Sequence, residues 1–177
     1  MKKILIIFII IVILVITFNT VNAEVLLIPD EAIRMRVIPN SNDEADITIK
    51  NKVKNQLQTE MVYLLKDATS INESRQIINN NLKKIDAEIS SLLKKENYNL
   101  GYNLNYSLNY FPEKTYKGVK YKEGYYESVL VTLGEGKGDN WWCVLFPPLC
   151  LIEADETTSK NDVEYKFFIK EIIDKFF

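Results

Sequence analysis

The sequence has no histidine. That removes Ser/His and Cys/His nucleophile pairs, zinc sites with imidazole ligands, and a histidine general base. Cysteine is nearly as scarce: Cys143 and Cys150 alone cannot build a four-thiolate metal site. Nor is there an excess of positive charge. With 22 Lys plus Arg against 24 Asp plus Glu, the net charge of −2 gives no electrostatic case for nucleic acid as a partner. What is present, 177 residues at 47% hydrophobic and 26% charged, suits one ordinary domain with its own core. Composition therefore leans toward a binding or structural role over catalysis. It points to no catalytic residue, no cofactor and no metal.

The N-terminal segment has the grammar of export. Lys2 and Lys3 precede an unbroken apolar run from Ile4 to Ile16, and Val21-Asn22-Ala23 closes the polar stretch behind it. A basic start, a short apolar run and a small residue at the cut are the pattern of a signal peptide. A spanning helix wants about 20 apolar residues, more than this run supplies. Cleavage after Ala23 is the expectation, with a retained N-terminal membrane anchor as the alternative. Cleavage removes two lysines and no acid, leaving 20 basic and 24 acidic groups and a net charge of −4. Either way the domain works outside the cytoplasmic face, where disulfides persist. The organisation expected is a signal segment over 1–23, an α+β domain over 24–152, and an acidic linker with an amphipathic helix over 153–177.

Periodicity supplies the elements. Ile33, Met35 and Val37 alternate with Arg34 and Arg36, which reads as a strand with one solvated face. Ser41 with Glu44, and Ser70 with Glu73, have the spacing of capping boxes. Behind them run two helical stripes: Ile49, Val53, Leu57, Met61 and Leu64/Leu65, then Ile78, Leu82, Ile85, Ile89 and Leu92/Leu93. A tight turn between them predicts an antiparallel pair. Leu100, Tyr102, Leu104, Tyr106, Leu108 and Tyr110 alternate with polar residues as a long half-buried strand. Residues 113–124 suggest a loop or short hairpin through Val119 and Tyr121. Residues 125–133 form a strand, with Tyr125, Val129, Val131 and Leu133 on one face, antiparallel to the Tyr/Leu strand. Without a repeating βαβ rhythm the fold class is α+β: two layers, a helix pair against a small, mostly antiparallel sheet, plus a C-terminal helix.

Few residues could carry chemistry. Gly134-Glu135-Gly136-Lys137-Gly138 lacks the spacing of a phosphate loop and opens no helix, so it reads as a flexible turn. Glu135 and Asp139, beside Trp141 and Trp142, are the imaginable pair for a secreted glycan-binding or glycan-cleaving protein. A glycine-rich loop does not hold two acids at a set separation. The unusual feature is the block Trp141-Trp142-Cys143-Val144-Leu145-Phe146-Pro147-Pro148-Leu149-Cys150, read as a loop block. It is either a plug at one end of the sheet or a protein-contact surface, since Trp and bulky apolar groups dominate interface hot spots. An intramolecular Cys143–Cys150 bridge is the first choice, with intermolecular pairing and free thiols left open. The candidate partner-binding residues are Trp141, Trp142, Val144, Leu145, Phe146, Pro147, Pro148, Arg34 and Arg36. The arginines are strand surface by default, and would otherwise meet an acidic partner or phospholipid heads.

Three stretches together resemble the stage II sporulation protein R family of endospore-forming bacteria. They are Ile33–Ile38 followed by Asn40-Ser41, Phe111-Pro112-Glu113-Lys114-Thr115-Tyr116 with Gly118 and Tyr121, and Gly134 through Cys150. Pro39 stands where the family would be expected to carry a small residue. The resemblance implies a signal exported from the forespore into the space between the two membranes. There it would trigger a membrane-embedded aspartic protease that matures the mother-cell sigma-E precursor, with no catalysis of its own. Contact with a membrane surface and self-association stay open beside that partner.

Overall fold

Two long helices, consecutive in the chain, separate the first strands from the later ones. In the computed structural model, which describes residues 26–27, 31–116, 119–149 and 170–176, strands β1 (Leu26–Leu27) and β2 (Ile33–Ile38) precede helices α1 (Glu44–Leu65) and α2 (Ile71–Lys95). Strands β3 (Tyr102–Phe111), β4 (Lys114–Tyr116), β5 (Val119–Tyr121), β6 (Gly124–Leu133) and β7 (Trp141–Phe146) follow, and residues 170–176 are helical. The main sheet has the order β3-β6-β2-β7; its β2–β6 pair is parallel and the other two pairs are antiparallel. A smaller sheet has the order β1-β5-β4, with the β4–β5 hairpin where residues 113–124 suggested one. The α+β class holds, with the helix pair laid on a mostly antiparallel sheet.

The helix stripes become the core. Val53, Leu57 and Met61 of α1 and Ile78, Ile85 and Ile89 of α2 pack on Met35, Val37, Val129, Val131 and Leu133 of the sheet. Each such side chain gains roughly 1.5–3 kcal/mol on burial, so this layer dominates stability. Lys84 pairs with Glu60, while Lys52, nearer the start of α1, reaches Glu96 just past the end of α2, so the helices run antiparallel. The Ser70 hydroxyl caps α2 by accepting from the Glu73 N–H. The Glu73 carboxylate reaches back to the N–H and hydroxyl of Thr69, one residue earlier than a standard capping box.

Five expectations need correction. Ser41 does not cap α1: the cap position is Asp43, and the Ser41 hydroxyl bonds Asp46 Oδ2 and the Asp43 N–H. Leu108 and Tyr110 of β3 and Tyr125 of β6 are 65%, 47% and 72% exposed, because the helix pair covers only the Tyr102–Tyr106 end of β3. The second face of the sheet is not solvated at Arg34. A second cluster of Ala32, Phe111, Val119, Tyr121, Tyr126, Val144 and Leu149 covers it, with Ile172 and Ile173 of the terminal helix packed alongside. The Trp141–Phe146 stretch is a strand paired to β2, and no loop block. The glycine-rich turn is anchored. Glu135 and Asp139 donate their N–H groups to the side chains of Asn40 and Asn42, and Lys137 and Gly138 donate to the carbonyls of Asn40 and Pro39. Gly134 sits at φ +54 against Asn40, and a Cβ on Gly138 would overlap the Ser41 carbonyl, so both positions require glycine.

Candidate functional site

The alternation of β2 sends Met35 toward the helices and Arg34 and Arg36 to the opposite face. Register then fixes their neighbours: Arg34 lies beside Ser128 and Val144, Arg36 beside Leu130 and Trp142. Arg34 is 0% exposed. Its guanidinium carbon lies 3.5 Å from the centroid of the Tyr126 ring, 4.9 Å from Phe111 and 5.0 Å from Trp142. Nη2 donates to the Lys122 carbonyl at 3.4 Å, and Nε and Nη1 meet no acceptor among the described residues. Three aromatic faces thus replace the carboxylate that a buried arginine usually has. Burial lowers its pKa from the ordinary 12.5 to about 10, so it stays charged at neutral pH.

The surface lies one step outward. Arg36 Nη1 donates to the Tyr110 carbonyl at 2.9 Å. With the Asn140 amide turned so that its oxygen faces the guanidinium, that oxygen accepts from Nη2 at 2.6 Å and Nε at 3.1 Å. Burial lowers the pKa of Arg36 as well. Trp142 is half-buried, edge-on to Tyr121 at 5.1 Å and Phe111 at 5.7 Å, and the exposed Lys114 ammonium lies 5.4 Å from its ring centroid. Among the described residues no carboxylate pairs with Arg34, Arg36 or Lys114. The result is a half-open tryptophan flanked by two surface cations with a third beneath, in a chain of net negative charge.

The remaining predicted site residues divide between faces. Trp141 lies on the helix side under the Lys54 ammonium, 5.1 Å from its ring centroid. Val144, Leu145, Phe146 and Pro147 are buried, Pro148 is half-buried, and Phe146 stacks edge-on with Phe176 at 5.1 Å. Most of the block is therefore plug, and Trp142 is its presented member on the arginine face. Cys143 is buried on the helix side. No described cysteine is a free thiol, and Cys150 lies outside the described residues, as do the signal segment, the acidic linker and the first part of the expected C-terminal helix. Sequence reasoning did not assign Phe111, Lys114, Tyr121 or Tyr126 to the site. The first three sat in stretches already singled out, and the even position of Tyr126 in β6 places it across from Tyr125. Among the described residues no group of three or more His, Cys, Asp or Glu could hold a metal.

All three stretches that suggested a family meet here: Arg34 and Arg36 from the first, Phe111 and Lys114 from the second, Trp142 from the third. The family model described as stage II sporulation protein R matches residues 29–156. The chain belongs to the stage II sporulation protein R family. It is 38% identical over 141 residues to stage II sporulation protein R of Bacillus subtilis (strain 168), covering 80% of this chain and 63% of that relative. The chain thus spans less than two thirds of the length of the curated relative it matches. No solved structure matches it. Family membership places the chain in sporulation. Among the described residues no helix is long and apolar enough to cross a membrane.

Proposed function

We propose that this sporulation protein is an exported signal, acting between the forespore and mother-cell membranes, that activates a membrane-embedded aspartic protease and so leads to maturation of pro-sigma-E. The observation that carries the reading is the Arg36–Trp142–Lys114 patch. A half-open tryptophan supplies an anchor of the kind that dominates interfaces. Two cations with no carboxylate partner among the described residues give it a complementary charge for an acidic surface of the protease. Arg34 beneath fixes the rings on which the patch stands. Activation follows if the protease's active state binds this patch better than its resting state does. A Cys143–Cys150 bridge belongs to the same reading, since it would tie the middle of β7 to the segment after it in the oxidising space outside the cytoplasm.

Nothing in the geometry favours the glycan reading. The Glu135 carboxylate is taken by Lys137 at 2.6 Å, and Trp141 and Trp142 lie on opposite faces of the sheet. The test is binding of the chain to membranes that carry the protease. The intact chain should be retained, and an Arg36→Ala/Trp142→Ala/Lys114→Ala variant with an unchanged melting curve should lose at least tenfold in affinity, about 1.4 kcal/mol. Equal retention of the two would sink the assignment of this patch.

A further inference from the structure

Strand β3 ends the main sheet, and among the described residues it pairs with β6 alone. A free edge offers a row of unpaired N–H and C=O groups to another strand. Sheets usually protect such edges with lysine, proline or short length. Here the edge runs ten residues, Tyr102–Phe111, with no charge and no proline. Its sequence is also close to a palindrome about Tyr106. Tyr102 mirrors Tyr110, Asn103 mirrors Asn109, Leu104 mirrors Leu108, and only Asn105 against Ser107 breaks the symmetry.

We propose that two copies of this chain pair antiparallel through β3, about a two-fold axis at Tyr106, to make one continuous eight-stranded sheet. A two-fold interface must be self-complementary: if residue i meets j, then j meets i. Pairing centred on Tyr106 satisfies this with like against like. Leu104 of each copy meets Leu108 of the other, Tyr102 meets Tyr110, and Asn103 meets Asn109. Directly opposed residues share a face, so both helix layers lie on the same side. The uncovered end of each β3, where Leu108 and Tyr110 stand exposed beside Tyr125, then lies against the helix-covered end of the other. A one-residue slip would set tyrosine and leucine against asparagine. The occupant of this edge is accordingly a second copy. The pairing uses Tyr102–Tyr110 of β3, while the proposed signalling patch is centred on Trp142 of β7; the two adjoin at the end of β3, where Arg36 bonds the Tyr110 carbonyl and Phe111 meets Trp142.

Sedimentation of the purified full chain, in mild detergent for its apolar N-terminal run, should show a mass that rises from one chain toward two with concentration. Ser107→Lys, at an exposed position, should weaken that association at least tenfold without moving the melting curve. Register is read by cysteine cross-linking. Asn105→Cys mixed with Ser107→Cys should cross-link roughly tenfold faster than either alone, because only the mixed pair brings Cβ atoms to disulfide distance. A single-chain mass at every concentration, a dimer indifferent to Ser107→Lys, or equal cross-linking in all three samples would each overturn the proposal.

Discussion

Replacing Arg34 by methionine tests the physics of the site most sharply, because two opposed effects of similar size meet there. The fall in pKa to about 10 is what remains after Tyr126 and Tyr121 pull it back up, so holding the charge out of water costs at least about 3 kcal/mol. Against it stand rings at 3.5, 4.9 and 5.0 Å, worth about 1–2 kcal/mol each where water is excluded. The two effects are therefore of similar size. Methionine keeps most of the volume and removes the charge, so Arg34→Met should leave the urea-unfolding free energy within about 1 kcal/mol of the parent. Arg34→Ala also loses the cage attraction and the burial penalty, but opens a cavity among Phe111, Tyr126 and Trp142. It should cost about 3 kcal/mol. Equilibrium urea denaturation followed by tryptophan fluorescence gives both values with a common slope. If methionine destabilised as much as alanine, the attraction would outweigh the burial penalty, and the description of Arg34 as a nearly balanced cation would be wrong.

Asn40→Ala should cost about 2 kcal/mol, since the side chain accepts from the Glu135 N–H and donates to Asp46; thermal melts would show it, and amide exchange at Glu135 should accelerate. Ser70→Ala removes the cap of α2 and should cost about 1 kcal/mol in the same assay. Acid should weaken the fold through Glu127 and Asp46. The Arg75 guanidinium, helped by the Tyr106 hydroxyl, holds the Glu127 carboxyl below its usual range, and Asn40 and Ser41 do the same for Asp46. Both carboxyls bind protons more readily when unfolded, so their contribution is present above the ordinary carboxylate range near pH 4 and fades as pH falls through the folded values. Melting temperature measured from pH 7 down to 3 should drop, and Glu127→Gln should flatten part of that drop.

How much the sequence disclosed depended on how local the cause was. The stripe Ile78, Ile85, Ile89 and the alternation along Ile33–Ile38 state their structures directly, because one buried face imposes one period. The Trp141–Phe146 strand escaped notice because both its faces are covered, and a two-sided burial leaves a continuous apolar run without alternation. Arg34 looked like surface for a related reason. Alternation reports that two faces differ, and says nothing of a second cover built from Phe111, Tyr121 and Tyr126. Glycines 134, 136 and 138 suggested mobility, yet Gly134 and Gly138 are required by close approach to Asn40 and Ser41, roughly a hundred residues earlier in the chain. Leu108 and Tyr110 kept the pattern of buried residues, but how far the helix pair reaches along β3 is set by packing that no local window contains.

As proposed, this chain acts on a membrane protease from outside. The direct test is co-expression, in a host that does not sporulate, of the chain, the membrane aspartic protease and pro-sigma-E, followed by immunoblotting for the shortened sigma factor. Cleavage is expected when all three are present, with little without the chain and little with an Arg36→Ala/Trp142→Ala/Lys114→Ala chain that is exported and folded. Cleavage independent of the chain, or no cleavage with an intact exported chain beside an active protease, would contradict it.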